Sequence, residues 1–428
     1  MAATAPSTAR LSHRLSHQES APASGPLAAI RSVLDRPLTT YYLLLGCSGL
    51  LLTIGLLMVL SASSVWAYEN LDGDSYYLVK RQLLWVVIGI PAAWVASRLP
   101  LKVIRSLSWP ALVLAAVLLY LTTTSLGVTR HGQTNWLALG PIELQPSEIA
   151  KLAVVLWAAH VYAVKDRLLG SMHHILVPVM FPGIAAIIGL VLWGKDLGTA
   201  LVLFAIALAL LWVVGTPLKY FFLGMSGVAV LALALAATDH ERLSRLTSFT
   251  DPLGDFHDSG WQPAHGLFAL ASGGIFGQGI GASQQKWGNL PEAYTDYVFA
   301  VLGEELGLLG TVLVLVLFLG IAYAAVRIAM TTDEPFIRYA SFGLMVWIMS
   351  QMLINVGMVL ALLPVIGIPL PLISYGGSAM VPTLVALGLL VGFARREPSA
   401  ARALAARRRR PGGVLAGRLA RSDRSAQR

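Results

Sequence analysis

The chain runs to 428 residues, 56% of them hydrophobic and only 12% charged, with a mean hydropathy of +0.70. Water-soluble domains carry roughly a quarter charged residues, so this composition excludes an ordinary soluble enzyme and points to an all-α polytopic membrane protein. The formal net charge of +9 does not indicate a nucleic-acid partner, because much of it gathers in a C-terminal tail containing Arg407-Arg408-Arg409-Arg410. Such a tail fixes topology or meets anionic lipid.

Residues 1–40 hold Ser, Pro, Ala and four Arg but no apolar core, which predicts a disordered cytoplasmic tail instead of a cleavable signal peptide. Ten apolar blocks follow, near 41–62, 79–97, 109–126, 149–164, 175–193, 199–214, 218–237, 301–326, 338–361 and 378–394. Each is close to the ~20 residues that span a hydrocarbon core as a helix. Cys47, the single cysteine, lies in the first block and excludes an intrachain disulfide. With the N-terminus inside, only Lys80, Arg81, Arg130, Lys151, Lys195, Arg242, Arg245 and Lys286 of the 31 basic residues fall on the outer side. That asymmetry predicts two cytoplasmic termini, a membrane domain over 41–394 and a basic cytoplasmic tail over 395–428. One large external loop is expected near 238–300, with shorter ones at 127–148 and 362–377, and such loops on a rigid base usually carry function.

Taken in chain order, the outer residues offer several candidates. Arg130 lies in the first loop. Ser147 is a plausible helix N-cap, and Glu148 can pair with Lys151 at i,i+3; that pair is either a snorkelling ion pair at the helix start or an attractor for a substrate phosphate. Lys195-Asp196, in a short turn, is either a structural salt bridge or part of the same cationic site. Arg242 and Arg245, with Asp239 and Glu241, are either a solvated interfacial cluster or further contributors to it. Several cations from separate spans could together neutralise a departing pyrophosphate. Gly273-Gly274-Ile275-Phe276-Gly277-Gln278-Gly279-Ile280-Gly281 mimics a phosphate cradle, but no strand precedes it, so flexible turns at the membrane surface are the better expectation.

The stretch 284–307 is the densest in chemistry. Lys286, Glu292 and Asp296 sit among aromatics where the long loop re-enters lipid. Asp296 is either a helix N-cap or a carboxylate whose proton affinity is raised by partial desolvation, as a general base requires. Glu304 and Glu305, about two turns deeper, read as structural supports. His173-His174 falls on the cytoplasmic side, and His240, His257 and His265 lack metal-ligand spacing; no metal motif and no cofactor is evident, a divalent-cation requirement is left open, and no Gly-x-Ser-x-Gly elbow is present.

Lys286-Trp287-Gly288-Asn289-Leu290-Pro291-Glu292-Ala293-Tyr294-Thr295-Asp296-Tyr297-Val298-Phe299-Ala300 and Gly303-Glu304-Glu305-Leu306-Gly307 resemble the signature of the SEDS family (shape, elongation, division and sporulation). Gln145-Pro146-Ser147-Glu148 with Lys151, Asp196-Leu197-Gly198-Thr199 and Pro371-Leu372-Ile373-Ser374-Tyr375-Gly376-Gly377-Ser378 match it in the same order. The wording of Trp287–Ala293 is closer to the division branch than to the elongation branch. The resemblance implies a GT-C-like membrane fold and a peptidoglycan glycosyltransferase that polymerises lipid II outside the cytoplasmic membrane, at the division septum. Its partners would be lipid II, an undecaprenyl-linked glycan chain, a class B penicillin-binding transpeptidase and other divisome proteins.

The resemblance carries the catalytic role to Asp296 and a substrate role to Lys151. With Lys286, Glu292, Asp196, Arg242, Arg245, Arg130, Ser374 and Tyr375 these make the expected substrate-facing set. Ser374 and Tyr375 would shape a groove for a polyprenyl tail or form a plain re-entrant turn. Three positions depart from the family pattern: Asn135 stands before Trp136 where Arg is usual, Lys195 where Pro is usual, and Asp239 where Glu is usual. A lipid II flippase or other polyprenyl-lipid transporter, or a division scaffold, are the competing readings.

Overall fold

A computed structural model describes residues 36–130, 133–140, 142–237, 251–254, 256 and 260–408. Among these, every one of the apolar blocks is helical. In chain order the elements are α1 (Thr39–Asn70), α2 (Tyr77–Arg98), α3 (Leu101–Thr122), β1 (Gly127–Arg130), β2 (Gln133–Leu139), β3 (Ile142–Leu144), α4 (Pro146–Val164), α5 (Met172–Trp193), α6 (Leu197–Val213), α7 (Leu218–Ala237), α8 (Trp261–Gly273), α9 (Val298–Thr331), α10 (Pro335–Val359), α11 (Gly377–Ala394) and α12 (Pro398–Arg408). The chain is therefore a polytopic helical membrane protein, as its composition predicts.

Four details differ from the sequence expectation. The third span starts at Leu101, because extended Pro100 (φ −66, ψ 146) leads straight into the helix and Lys102 and Arg105 are carried on its first turns. Expected as one rod, α5 is interrupted at Val177 (φ −107, ψ 130) and Phe181 (φ −133, ψ 124), each preceding a proline that disfavours helical backbone. The loop 127–148 is a three-stranded antiparallel sheet in the order β1-β2-β3. On β2, Asn135 and Leu137 are buried while Thr134 and Trp136 are less so, the alternation of a strand with one face packed. The long loop between α7 and α9 contains a helix, α8.

The helices that enclose the core are α4 and α11, with 67% and 78% of their spans buried, against 28% for α2 and α3, which lie at the lipid boundary. Glycines let the backbones approach. A Cβ at Gly388 of α11 would lie 2.2 Å from the Ala93 carbonyl of α2, and one at Gly343 of α10 would lie 2.8 Å from Val155 of α4. Small residues at such crossings are how membrane helices gain packing without a hydrophobic drive.

The glycine-rich segment is not a set of flexible turns. Gly307 (φ 67, ψ −166) breaks α9, which frees backbone groups that lipid cannot satisfy. Gln278 and Gly279 donate N–H bonds to the Glu304 and Glu305 carbonyls (2.9 and 3.0 Å), and Leu308 and Leu309 donate to Gly274 and Ile275 (2.9 and 3.2 Å). The segment is thus a backbone insert that closes the kink. A Cβ at Gly277 (φ 80) would sit 2.2 Å from the Glu305 carbonyl, whereas at Gly281 (φ 86) it would meet nothing. Gly277→Ala is expected to lower the melting temperature sharply. Gly281→Ala should cost only the left-handed backbone strain, about 1–2 kcal/mol, and thermal unfolding in detergent separates the two.

Candidate active site

Asp296 stands one residue before the N-cap of α9, at the loop-rich end of the bundle. The preceding turn is built by Glu292, which has a left-handed backbone (φ 55). Its carbonyl accepts from the N–H groups of Thr295 and Tyr297 (3.2 and 3.1 Å), and its Oε2 accepts from Thr295 Oγ1 at 2.6 Å. Thr295 is thereby tied to Glu292 and does not cap α9. The N-cap residue is Tyr297, and no side chain caps the helix. The cap reading of Asp296 is therefore set aside: among the described residues its carboxylate has no hydrogen bond or ion pair.

What holds Asp296 is its backbone. Asn355 Nδ2, on α10, donates at 2.7 Å both to the Asp296 carbonyl and to the Ile368 carbonyl. One amide thus joins the Asp296 turn to the loop between α10 and α11. On that loop Gly367 (φ 76) faces the carboxylate, and a Cβ there would be 3.3 Å from Asp296 Oδ2. Asp296 keeps part of its surface open. Burial first, and the Glu292 charge second, push its carboxyl up to about 7, the range in which a group can both take and release a proton near neutrality.

Aromatics and a second amide complete the surroundings. Trp66 projects on the last turns of α1 and packs on Tyr294 (ring centroids 5.2 Å), which packs on Tyr375 (6.0 Å). The Tyr375 N–H donates to the Tyr294 carbonyl at 2.9 Å. Gln82 of α2 pins the same loop, its Nε2 donating to the Ser374 carbonyl and its Oε1 accepting from Gly376 N–H, both at 3.3 Å. Ser374 Oγ accepts from Leu370 N–H at 2.8 Å and is buried, so the hydroxyl shapes the turn and is not presented to a ligand. Tyr375 is the partly exposed member of that pair.

Two lysines of the expected cationic set are buried and internally paired. Lys286 is buried, and its ammonium donates to Glu305 Oε1 (2.9 Å), Ser61 Oγ (2.9 Å) and the Gly281 carbonyl (2.8 Å). All three of its hydrogens are used inside the protein, so it is a strut between α1, the loop and α9, not an open substrate contact. Lys151 does not snorkel: it is 1% exposed, 2.6 Å from Glu148 Oε1 and 5.6 Å from the centre of the Trp347 ring. A buried ammonium is tolerated there because a carboxylate and an aromatic face replace its water.

The expected cap at Ser147 is Gln145 instead, with Pro146 at the first helical position. Asp196 caps α6, Oδ1 accepting from Thr199 N–H and Oδ2 from Thr199 Oγ1 (both 2.9 Å), Asn135 Nδ2 (3.0 Å) and Gln145 Nε2 (3.4 Å). It is buried, without an ion pair to Lys195, because four neutral donors already occupy its oxygens. Asn135, at the position where Arg is usual, is therefore a buried partner of Asp196.

Glu304 and Glu305 act as supports. Glu304 accepts from Ser283 Oγ (2.6 Å) and Gln284 N–H (2.9 Å), and Glu305 from Lys286 and Ser61. The Arg130 side chain, Arg242, Arg245 and Asp239 lie outside the described residues.

Sequence reasoning missed Asn355, Gln82 and Trp66. A lone amide inside an apolar span was the available signal, since polar groups there are retained for a partner. Asn355→Leu is expected to lower the turnover number more than it raises KM, because the Asp296 and Ile368 carbonyls lose their common donor. Steady-state kinetics beside an unfolding curve would check this.

Residues 41–398 match the FtsW/RodA/SpoVE family, described as cell cycle protein. Over 376 residues the chain is 37% identical to the probable peptidoglycan glycosyltransferase FtsW of Mycobacterium tuberculosis, covering 88% of this chain and 71% of that one. It is 43% identical over 350 residues to the probable peptidoglycan glycosyltransferase FtsW of Thioalkalivibrio sulfidiphilus, covering 80% and 86%. Among solved structures, the rod shape determining protein RodA of Thermus thermophilus superposes with a TM-score of 0.61 at 25% identity, covering 86% of this chain and 99% of that one. A chain of a peptidoglycan synthase complex that coordinates polymerisation and crosslinking shares the fold, with a TM-score of 0.66 at 24% identity, covering 85% and 99%. The chain belongs to the FtsW/RodA/SpoVE family of cell cycle proteins.

Proposed function

We propose that the chain is a peptidoglycan glycosyltransferase that polymerises lipid II, with Asp296 as the general base. The observation that carries this reading is the Asp296 carboxylate: partly open, without a partner among the described residues, and held in place through its own backbone. In the reaction Asp296 takes the proton of the acceptor sugar 4-hydroxyl. The freed oxygen attacks the anomeric carbon of the lipid-linked chain, a new glycosidic C–O bond forms, and the C–O bond to pyrophosphate breaks. Undecaprenyl pyrophosphate departs with the electron pair, and Asp296 returns its proton to solvent.

Lys151 and Lys286 are neutralised internally, so Arg130, Arg242 and Arg245 are the remaining candidates to compensate the leaving group. The chemistry assigned to these residues invokes no cofactor, and activity after chelation tests for a divalent-cation requirement. Both termini face the cytoplasm in this reading, from the basic residues of the inner segments and tail. The relatives named FtsW support a role at the division septum, and the synthase complex supports a class B transpeptidase as partner.

The test is purified protein with its transpeptidase partner and labelled lipid II. The expected result is glycan polymer from the wild type and none above background from Asp296→Ala. Lipid scrambling in proteoliposomes without polymer would instead favour a carrier. Against a carrier, the candidate site lies at one end of the bundle, whereas transporter sites lie near the bilayer midplane.

A further inference from the structure

At the opposite end of the bundle, a cavity of about 530 Å³ opens between the ends of α2 and α11 and the helix α12 that folds beside them. Ser97, Arg98, Gly392, Arg395, Arg396 and Leu404 line it. Its origin is the close helix crossing: a Cβ at Gly392 would lie 2.7 Å from the Ser97 carbonyl, and beyond this contact α11 ends and the chain turns into α12. The volume is of the size that holds a small organic ligand, far larger than a water site.

Three guanidinium groups border this space, and among the described residues none of them has a carboxylate partner. Arg396 donates from Nη2 to the Leu99 carbonyl, while its Nη1 is buried with no partner. Burial, and then the charge of Arg395, both work against the Arg396 cation. Arg98 lies over the Trp94 ring at 5.2 Å. Val87, Ile90, Trp94 and Arg98 recur at helical spacing on α2, and the first three are exposed apolar side chains. That face leads along the lipid boundary directly to the arginines. A phosphate with apolar chains attached fits this combination better than a free anion, which would need no such lane.

We propose that the cavity binds the phosphate headgroup of an anionic phospholipid from the leaflet at this end, with an acyl chain along the Val87–Ile90–Trp94 face. The headgroup phosphate accepts from Arg98 and Arg395, beside the Arg396 cation, and the site couples the ends of α2 and α11 to α12. It is separate from the Asp296 site and does not depend on the reaction assigned there.

The test uses the full chain in uncharged detergent, with thermal unfolding followed as dioleoyl-phosphatidylglycerol, dioleoyl-phosphatidylcholine or inorganic phosphate is added. Phosphatidylglycerol is expected to raise the midpoint, and the other two to leave it unchanged. Arg98→Glu with Arg395→Glu should weaken the phosphatidylglycerol response by about tenfold or more, while Lys219→Glu, an exposed cation away from the cavity, should change it by less than about twofold. Equal protection by inorganic phosphate, an equal loss in Lys219→Glu, or an unchanged response in the double variant would each overturn the proposal. If the double variant does not fold, a photoactivatable phosphatidylglycerol on the wild type decides. Labelling at Ser97–Arg98 or Arg395–Leu404 supports the site, and labelling only elsewhere overturns it.

Discussion

Replacing Asp296 with Asn is expected to lower polymerisation by about 10²–10⁴-fold, the range a positioned general base contributes, while leaving the fold intact. The side chain makes no internal hydrogen bond among the described residues, so an isosteric amide removes the proton acceptor and little else. The pH dependence gives the sharper test. Asp296 has a carboxyl raised to about 7 by burial and then by the Glu292 charge, so the base is protonated and idle below that value. Wild-type rates should climb with pH through about 7 and then level. Glu292→Gln removes the second cause, and the acid limb should move to lower pH.

Stability runs the opposite way. A carboxyl raised in the folded state binds a proton that the unfolded chain has already released, so between the ordinary aspartate pKa and about 7 the folded form loses stability as pH rises. Asp296→Asn should therefore melt higher than wild type above about pH 7, with the gap closing in acid. A variant that loses activity but shows no such gap would mean that Asp296 is not desolvated in the working enzyme.

Lys286→Met is the substitution with the largest expected cost in stability, about 3–5 kcal/mol, the range for removing one partner of a buried ion pair. Glu305 would stay buried with its charge uncompensated, and the hydroxyl of Ser61 and the carbonyl of Gly281 would lose a donor. Adding Glu305→Leu should recover much of that loss, because the pair's desolvation is costly even when it is intact. A double-mutant cycle in detergent measures the coupling. Should Lys286→Met keep its melting temperature and raise only KM, the residue would be a substrate contact after all.

How much was legible in the sequence depends on the range of the interaction involved. Asp296 could be singled out because a carboxylate among aromatics at the edge of a span is costly wherever the chain goes. Its freedom could not be read, because that depends on Thr295 bonding Glu292 and on Asn355 arriving from another helix. Lys286 and Lys151 looked like outward cations because each follows a loop. Their burial depends on partners that only packing supplies in one case, Ser61 and Glu305 reaching Lys286 from two other elements, and on the Trp347 face in the other. The glycine-rich run resembled flexible turns because the kink it fills, at Gly307, is a property of a different segment.

Block length and local polarity were enough to locate the helical spans, the uneven distribution of basic residues along the chain and the candidate carboxylate. Both are properties that a bilayer sorts residue by residue. Which charges cancel one another, and which stays open among the described residues, depends on packing. Buried polar groups must find donors and acceptors, and in this chain the partners lie far apart in sequence: Ser61 meets Glu305, Gln82 meets Ser374, and Asn355 holds both Asp296 and Ile368. Among the described residues the Asp296 carboxylate has no such partner, which is why the candidate chemistry falls to it.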